Sequence, residues 1–214
     1  MPAQTKEKNL EEDIESFLCS PEGGFFKCDD RHSLLYVEDG TYQMVGGGYM
    51  EHRDRALDAA TLVNFIQTTQ PKAWDRFERM CNSDSTAKFA KVFNDAVDRL
   101  GMVAVLKHGF KHRGIPFKVV FFKPESGLNE SAADHYAKNV CRCIRQFHFA
   151  ETGNQTIDMV LDVNGIPLVG IELKDQFTGQ DVENAMRQWR EDRDPRCRCL
   201  KFNTRMVAFF AVDK

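Results

Sequence analysis

The sequence predicts an α/β fold: a mixed sheet flanked by helices, built in the order helix, three strands, helix, strand, with a helical insertion after the first helix. Three observations predict it. A single apolar stripe at helical spacing opens the chain, two longer helical periods follow, and from residue 157 onward β-branched runs enclose one amphipathic segment.

Leu10, Ile14, Phe17 and Leu18 stand at i, i+4, i+7 and i+8, which makes one face of an amphipathic first helix. Pro21 to Tyr49 is Gly-rich and polar with short apolar pieces such as Ser33 to Val37, predicting loops and a small hairpin. Gly46-Gly47-Gly48 lacks the lysine and flanking elements of a phosphate loop, so no ATP site is predicted. Leu57 to Thr69 and Lys88 to Leu100 read as helices, the second with Phe89, Val92, Phe93, Ala96, Val97 and Leu100 on a helical period.

Met102 to Leu106 and Lys118 to Phe122 read as strands of a hairpin whose basic tip spans Lys107 to Pro116. A short helix is expected over His135 to Lys138 and a strand over Asn139 to Phe149. Ile157 to Val163 and Ile166 to Lys174 are apolar, β-branched runs joined at Asn164-Gly165, a strong hairpin signal. Gln180 to Arg190 follows as a helix with Val182, Ala185, Met186 and Trp189 on one face, then Met206 to Val212 as a strand. This crossover places the last strand parallel to the one before it. The 214 residues suit a single domain: 1–50 the N-terminal helix and loops, 51–100 a helical lobe, 101–214 the sheet core.

A net charge of −3 excludes binding to nucleic acid by overall charge alone, but the distribution is uneven. Residues 1–60 hold six Lys/Arg against thirteen Asp/Glu, 107–123 hold five Lys/Arg and no acid, and 185–206 hold seven against three. A charge run is ordinarily a solvated face; two basic segments on either side of an acidic motif point instead to a polyanion groove. The seven cysteines lack the spacing of a zinc site, with Cys141/Cys143 and Cys197/Cys199 only two apart, and read as reduced thiols. Apolar runs such as Val207 to Val212 fall far short of the roughly 20 residues that cross a bilayer. The polar Met1 to Asn9 has no secretory apolar core, so a cytoplasmic location is expected.

Asp158, Glu172 and Lys174 interrupt runs that otherwise read as buried strands, where charges persist only when paired or bound to metal. Glu172 and Lys174, at i and i+2, share a strand face. Asp158 faces Glu172 only if paired residue numbers sum to 330, whereas a strict two-residue turn at Asn164-Gly165 sets Asp158 opposite Ile171. The expectation is therefore a three-residue turn with Gly165 left-handed, or a bulge. Two facing carboxylates repel unless a cation lies between them. Mg²⁺, with Mn²⁺ as a substitute, suits Asp158, Glu172 and the Leu173 backbone carbonyl, and would polarise a phosphate and acidify a water. Lys174 would orient or deprotonate that water, or stabilise charge on the phosphorus centre. The bland reading is a structural Asp158–Lys174 ion pair with Glu172 solvated.

Ile157-Asp158-Met159-Val160-Leu161, Asn164-Gly165-Ile166-Pro167-Leu168, Ile171-Glu172-Leu173-Lys174 and Ala185-Met186-Arg187-Gln188-Trp189-Arg190 with Asp192-Arg193-Asp194-Pro195 resemble the N-terminal nuclease domain of the restriction (R) subunit of type I restriction-modification enzymes. Thr68 to Trp74 and Phe121 to Asn129 extend the likeness over most of the chain. The resemblance implies a PD-(D/E)xK endonuclease core with Asp158, Glu172 and Lys174 as catalytic residues. It also implies duplex DNA as substrate, and methyltransferase and specificity subunits as partners. An ATP-driven translocase motor belongs to the full-length subunit; this chain lacks it, binds no ATP by this reading, and reads as a fragment.

Two departures stand out. Ile157 replaces the motif's Pro, and Asp192 stands where the family's QxxxY motif would carry Tyr, so Gln188 alone carries over. Helix one in such nucleases often supplies a further metal carboxylate, here Glu11 or Glu15; acids at a helix start also simply complement its dipole. Arg187, Arg190, Lys201, Lys107, Lys111 and Lys123 are the expected phosphate contacts, positioning DNA without reading sequence. Trp189 is expected to pack in the core rather than stack on a base. The competing functional class is a non-catalytic DNA-binding or subunit-docking module; a stand-alone repair nuclease of the same fold fits the family segments less well.

Overall fold

The computed structural model describes residues 3–38, 40–125, 129–174, 182–201 and 203–213. Helix α1 (Ala3–Leu18) leads to strand β1 (Phe26–Cys28) and a hairpin of β2 (His32–Tyr36) and β3 (Tyr42–Gly46). The helical insertion follows: α2 (Gly48–Glu51), a 3-10 turn (Arg53–Arg55), α3 (Ala59–Thr69), α4 (Pro71–Glu78), α5 (Ser85–Leu100) and α6 (Met102–His108). After a second hairpin, β4 (Phe110–His112) and β5 (Ile115–Phe117), and helix α7 (Glu130–Ala137), the chain enters the main sheet. Its strands are β6 (Cys141–His148), β7 (Thr156–Val163) and β8 (Ile166–Lys174), then α8 (Val182–Arg187) with a π turn (Gln188–Asp192), and β9 (Ala208–Asp213).

The sheet order is β1-β6-β7-β8-β9, with β6, β7 and β8 antiparallel and β9 parallel to β8. The expected helix, three strands, helix, strand is thus present, with β1 added parallel to β6 at the far edge. Strand β1 has three residues, too few for a period-2 pattern to show.

Helices α3 and α5 form where the apolar period predicts them, each started by an aspartate whose side chain accepts a backbone N–H: Asp58 from Thr61 and Asp84 from Ala87. Phe89, Phe93 and Val97 line the buried face of α5 and meet Trp74, Phe77, Phe110 and Phe117 in one aromatic-rich core. This core continues to Val119, so the helical lobe runs past the expected boundary at residue 100.

Two expected strands are corrected. Met102 to Leu106 is helical, because an apolar run of five has no decisive period and Gly101 (φ 84°) starts a fresh helix directly after α5. Lys118 to Phe122 is irregular; the hairpin pairs Phe110–His112 with Ile115–Phe117 about Arg113-Gly114, and its tip is basic as expected. Helix α7 covers Glu130–Ala137, earlier than the expected His135 to Lys138, because Asn129 caps it by accepting from Ala132 N–H. The expected helix from Gln180 is described from Val182 onward, Gln180 lying outside the described residues. It widens into the π turn at Gln188; of its expected apolar face Ala185 is buried and Met186 exposed. Ser126, Gly127 and Leu128 of the family-like segment also lie outside the described residues. No helix among the described residues is long and apolar enough to cross a membrane.

Candidate active site

The turn between β7 and β8 decides where the carboxylates fall. Asn164 (φ 53°) and Gly165 (φ 82°) form a two-residue loop closed by Val163 opposite Ile166, not the three-residue turn. Gly165 is required twice over, since a Cβ there would also stand 2.4 Å from the Asp58 carbonyl oxygen. A bulge between Leu161 and Asp162, the other expected device, then shifts the pairing: Asp162 faces Pro167, while Leu161 faces Val169 and Met159 faces Ile171. One step further the same register sets Asp158 opposite Glu172.

Asp158 ends the ladder itself, its Oδ2 accepting the Leu173 N–H at 2.8 Å. Glu172 is buried rather than solvated, which removes half of the bland reading. Burial first, then the adjacent Asp158 carboxylate, pushes its carboxyl up to about 7 from an ordinary 4.5, against the opposing pull of Arg193. Arg193 donates through Nη2 to Glu172 Oε1, while Glu172 Oε2 and Arg193 Nε have no hydrogen-bond partner. A buried carboxylate oxygen without a donor is costly unless a cation or a water answers it. Lys174 closes β8 two residues on, level with Asp213 of β9.

In the sequence Arg193 stands only in the basic run and in the family-like Asp192-Arg193-Asp194-Pro195 segment, and neither marks it as a partner of Glu172. Its role depends on the π turn, which returns the chain beneath β8, and no local pattern announces that fold-back. The buried face of β8 at Gly170 fits closely under Trp189 and Met206. Trp189 packs on Phe209 and donates Nε1–H to the Phe210 carbonyl at 3.0 Å, so it is part of this packing.

The helix-one acids have other partners. Register aligns Arg145, Met159 and Ile171 on one face of the sheet and Gly170 and Glu172 on the other. Glu11 accepts from Arg145 (2.7 Å) and Gln146 (2.8 Å), and Glu15 from Lys27 (2.6 Å) and Arg145 (3.4 Å), which ties α1 to β1 and β6. Neither acid forms a cluster of three potential metal ligands with Asp158 and Glu172 among the described residues. Among the described residues no three His, Cys, Asp or Glu side chains gather as a metal cage. A pair of carboxylates still suits Mg²⁺, which ordinarily takes one or two and completes its shell with water and phosphate oxygens.

The basic residues divide into two groups. Arg187 and Arg190 are exposed on α8 and the π turn, lining one cleft with Glu183, Asn184 and Glu191, and the half-buried Gln188 lies between them. Lys201 is exposed beyond them. Lys107, Lys111 and Lys123 are exposed on or beside the helical lobe. That lobe packs on Ile166 at the turn end of β8, about 20 Å along the strand from Glu172 at ~3.3 Å per residue.

A family model described as the type I restriction enzyme R protein N terminus matches residues 61–213, most of the chain. Comparison with curated proteins and with solved structures gave no match.

Proposed function

The chain belongs to the family of type I restriction enzyme R protein N termini, and from that premise we propose that it is the metal-dependent DNA endonuclease domain of such a subunit, built on a PD-(D/E)xK core. The observation that carries this reading is the bulged β7–β8 hairpin, which faces Asp158 with a buried Glu172 whose Oε2 has no partner. Asp158, Glu172 and the Leu173 carbonyl would hold Mg²⁺ or Mn²⁺, which supplies Lewis acidity toward the scissile phosphate. Lys174, on the face that Glu172 shares, would orient the attacking water and hold or release its proton.

Arg187 and Arg190, nearer this end of the sheet, would contact the DNA backbone, with Gln188 between them. Lys201 would extend that surface. Lys107, Lys111 and Lys123 fit a more distant stretch of duplex. By this reading methyltransferase and specificity subunits direct the chain to its DNA, and the ATP-dependent motor lies in other parts of the R subunit.

Nicking of supercoiled plasmid in Mg²⁺ by wild type, Asp158→Ala and Lys174→Ala, with Mn²⁺ binding by calorimetry alongside, tests the proposal. Cleavage by wild type and by neither variant supports it, as does Asp158-dependent Mn²⁺ binding without cleavage, which marks a site awaiting its partner subunits. Neither cleavage nor metal binding by wild type would sink the nuclease reading in favour of a docking module.

A further inference from the structure

Arg193 terminates the π turn. Its backbone N–H closes on the Gln188 carbonyl at 3.1 Å and its extended backbone (φ −92°, ψ 124°) turns the side chain back toward the sheet. Three contacts fix the guanidinium: the Phe149 ring 4.7 Å away, the Thr156 carbonyl accepting from Nη2 at 2.6 Å, and Glu172 Oε1 accepting from the same nitrogen. Trp189 stands on a further side, its ring centre 5.9 Å off. Arg193 is itself buried. Glu172 is thus gripped on one oxygen, and the other is left bare.

Resting on the nuclease reading above, we propose that Arg193 is a positioning residue for the metal site, clamping Glu172 Oε1 so that Oε2 is presented to the divalent ion in a single orientation. A guanidinium beside a metal carboxylate ordinarily competes with the ion for the same lone pairs. Here the two claims fall on different oxygens, and an arginine seated on an aromatic ring and a strand carbonyl need not move when metal enters. The clamp also lessens the repulsion between Asp158 and Glu172 before any ion arrives. Hydrogen-bonding partners of ligating carboxylates typically change metal affinity by roughly 10- to 100-fold.

The test is calorimetric titration of Mn²⁺ into the full chain, as wild type, Asp158→Ala, Arg193→Gln and Arg193→Lys, with circular dichroism confirming the fold of each. Arg193→Gln is expected to weaken binding at least about tenfold, with Arg193→Lys recovering part of the loss. Equal or tighter binding by Arg193→Gln overturns the proposal and makes the guanidinium a bystander or a competitor. Absence of Asp158-dependent binding in wild type overturns this inference, and together with absence of plasmid cleavage it overturns the nuclease reading as well, a result distinct from the first. Should Arg193→Gln not fold, a Mn²⁺-soaked crystal of wild type decides. Mn²⁺ on Oε2 with Arg193 still on Oε1 supports the clamp; Arg193 displaced and both oxygens on the ion overturns it.

Discussion

Strand β7 carries two charge clusters, one toward each end, and each sets two carboxylates against one guanidinium. At the turn end Arg142 lies between Asp162 and Asp58, all fully buried. Every polar atom there is answered: Arg142 Nε by Asp162 at 2.9 Å, Nη1 by Asp58 at 2.8 Å, and Nη2 by Asp162 again. Asp58 further accepts from Ser33 and Thr61, and Asp162 from Tyr49. At the other end Asp158, Glu172 and Arg193 hold similar charges, yet contain the two unpartnered buried side-chain polar atoms found among the described residues. The difference is one of saturation rather than charge count. The first cluster ties β2, α3, β6 and β7 together and has no capacity left for a ligand, whereas the second keeps an oxygen in reserve.

Disrupting the saturated cluster should give the largest effect. Burial works to lower the Arg142 pKa, but Asp162 and Asp58 more than offset this and hold it well above its ordinary value, so the residue is a permanent cation. Arg142→Ala strands two buried carboxylates and is expected to cost about 3–5 kcal/mol, read as a fall in the urea midpoint. A change below about 1 kcal/mol would erase the contrast between the two ends.

At the unsaturated cluster the sign reverses. Folded Glu172 holds its proton to about pH 7 and the unfolded residue to about 4.5, so between these values the native state binds more protons and stability falls as pH rises. The fall is on the order of 3 kcal/mol at most, complete above pH 7 and absent below 4.5. Glu172→Gln removes it while Asp158 remains to offset Arg193. The variant should melt above wild type at pH 8 and together with it near pH 4.5. Parallel melting curves across that range would show that Glu172 is not strained.

Much of this was legible in the residues. The Asn164-Gly165 signal and the pairing needed to face Asp158 with Glu172 led to a three-residue turn or a bulge, and the structure has a two-residue turn with the bulge. Helices α3 and α5 were legible from their apolar residues, while their aspartate caps emerged only in the structure. What was hidden depends on contacts distant in sequence. Met102 to Leu106 suits strand or helix equally until Gly101 and the lobe core choose. Which sheet face α1 covers follows from Arg145 reaching Glu11 and Glu15, 130 or more residues away. Arg193 joins Glu172 only through the π turn.

The smallest expected change in stability separates the two clusters most sharply. Asp158→Asn keeps an oxygen in place to accept the Leu173 N–H, so the end of the β7–β8 ladder stays closed. It also removes the negative charge that helps to raise Glu172, which relieves rather than adds strain. Stability at pH 8 should therefore stay within about 1 kcal/mol of wild type, or rise slightly. Under the proposed metal site, Mn²⁺ affinity should nevertheless fall at least about tenfold, because the carboxylate proposed to hold the ion has become an amide. A loss of stability as large as that of Arg142→Ala would mean that Asp158 builds the fold as Asp162 does, and that saturation does not distinguish the two ends of β7.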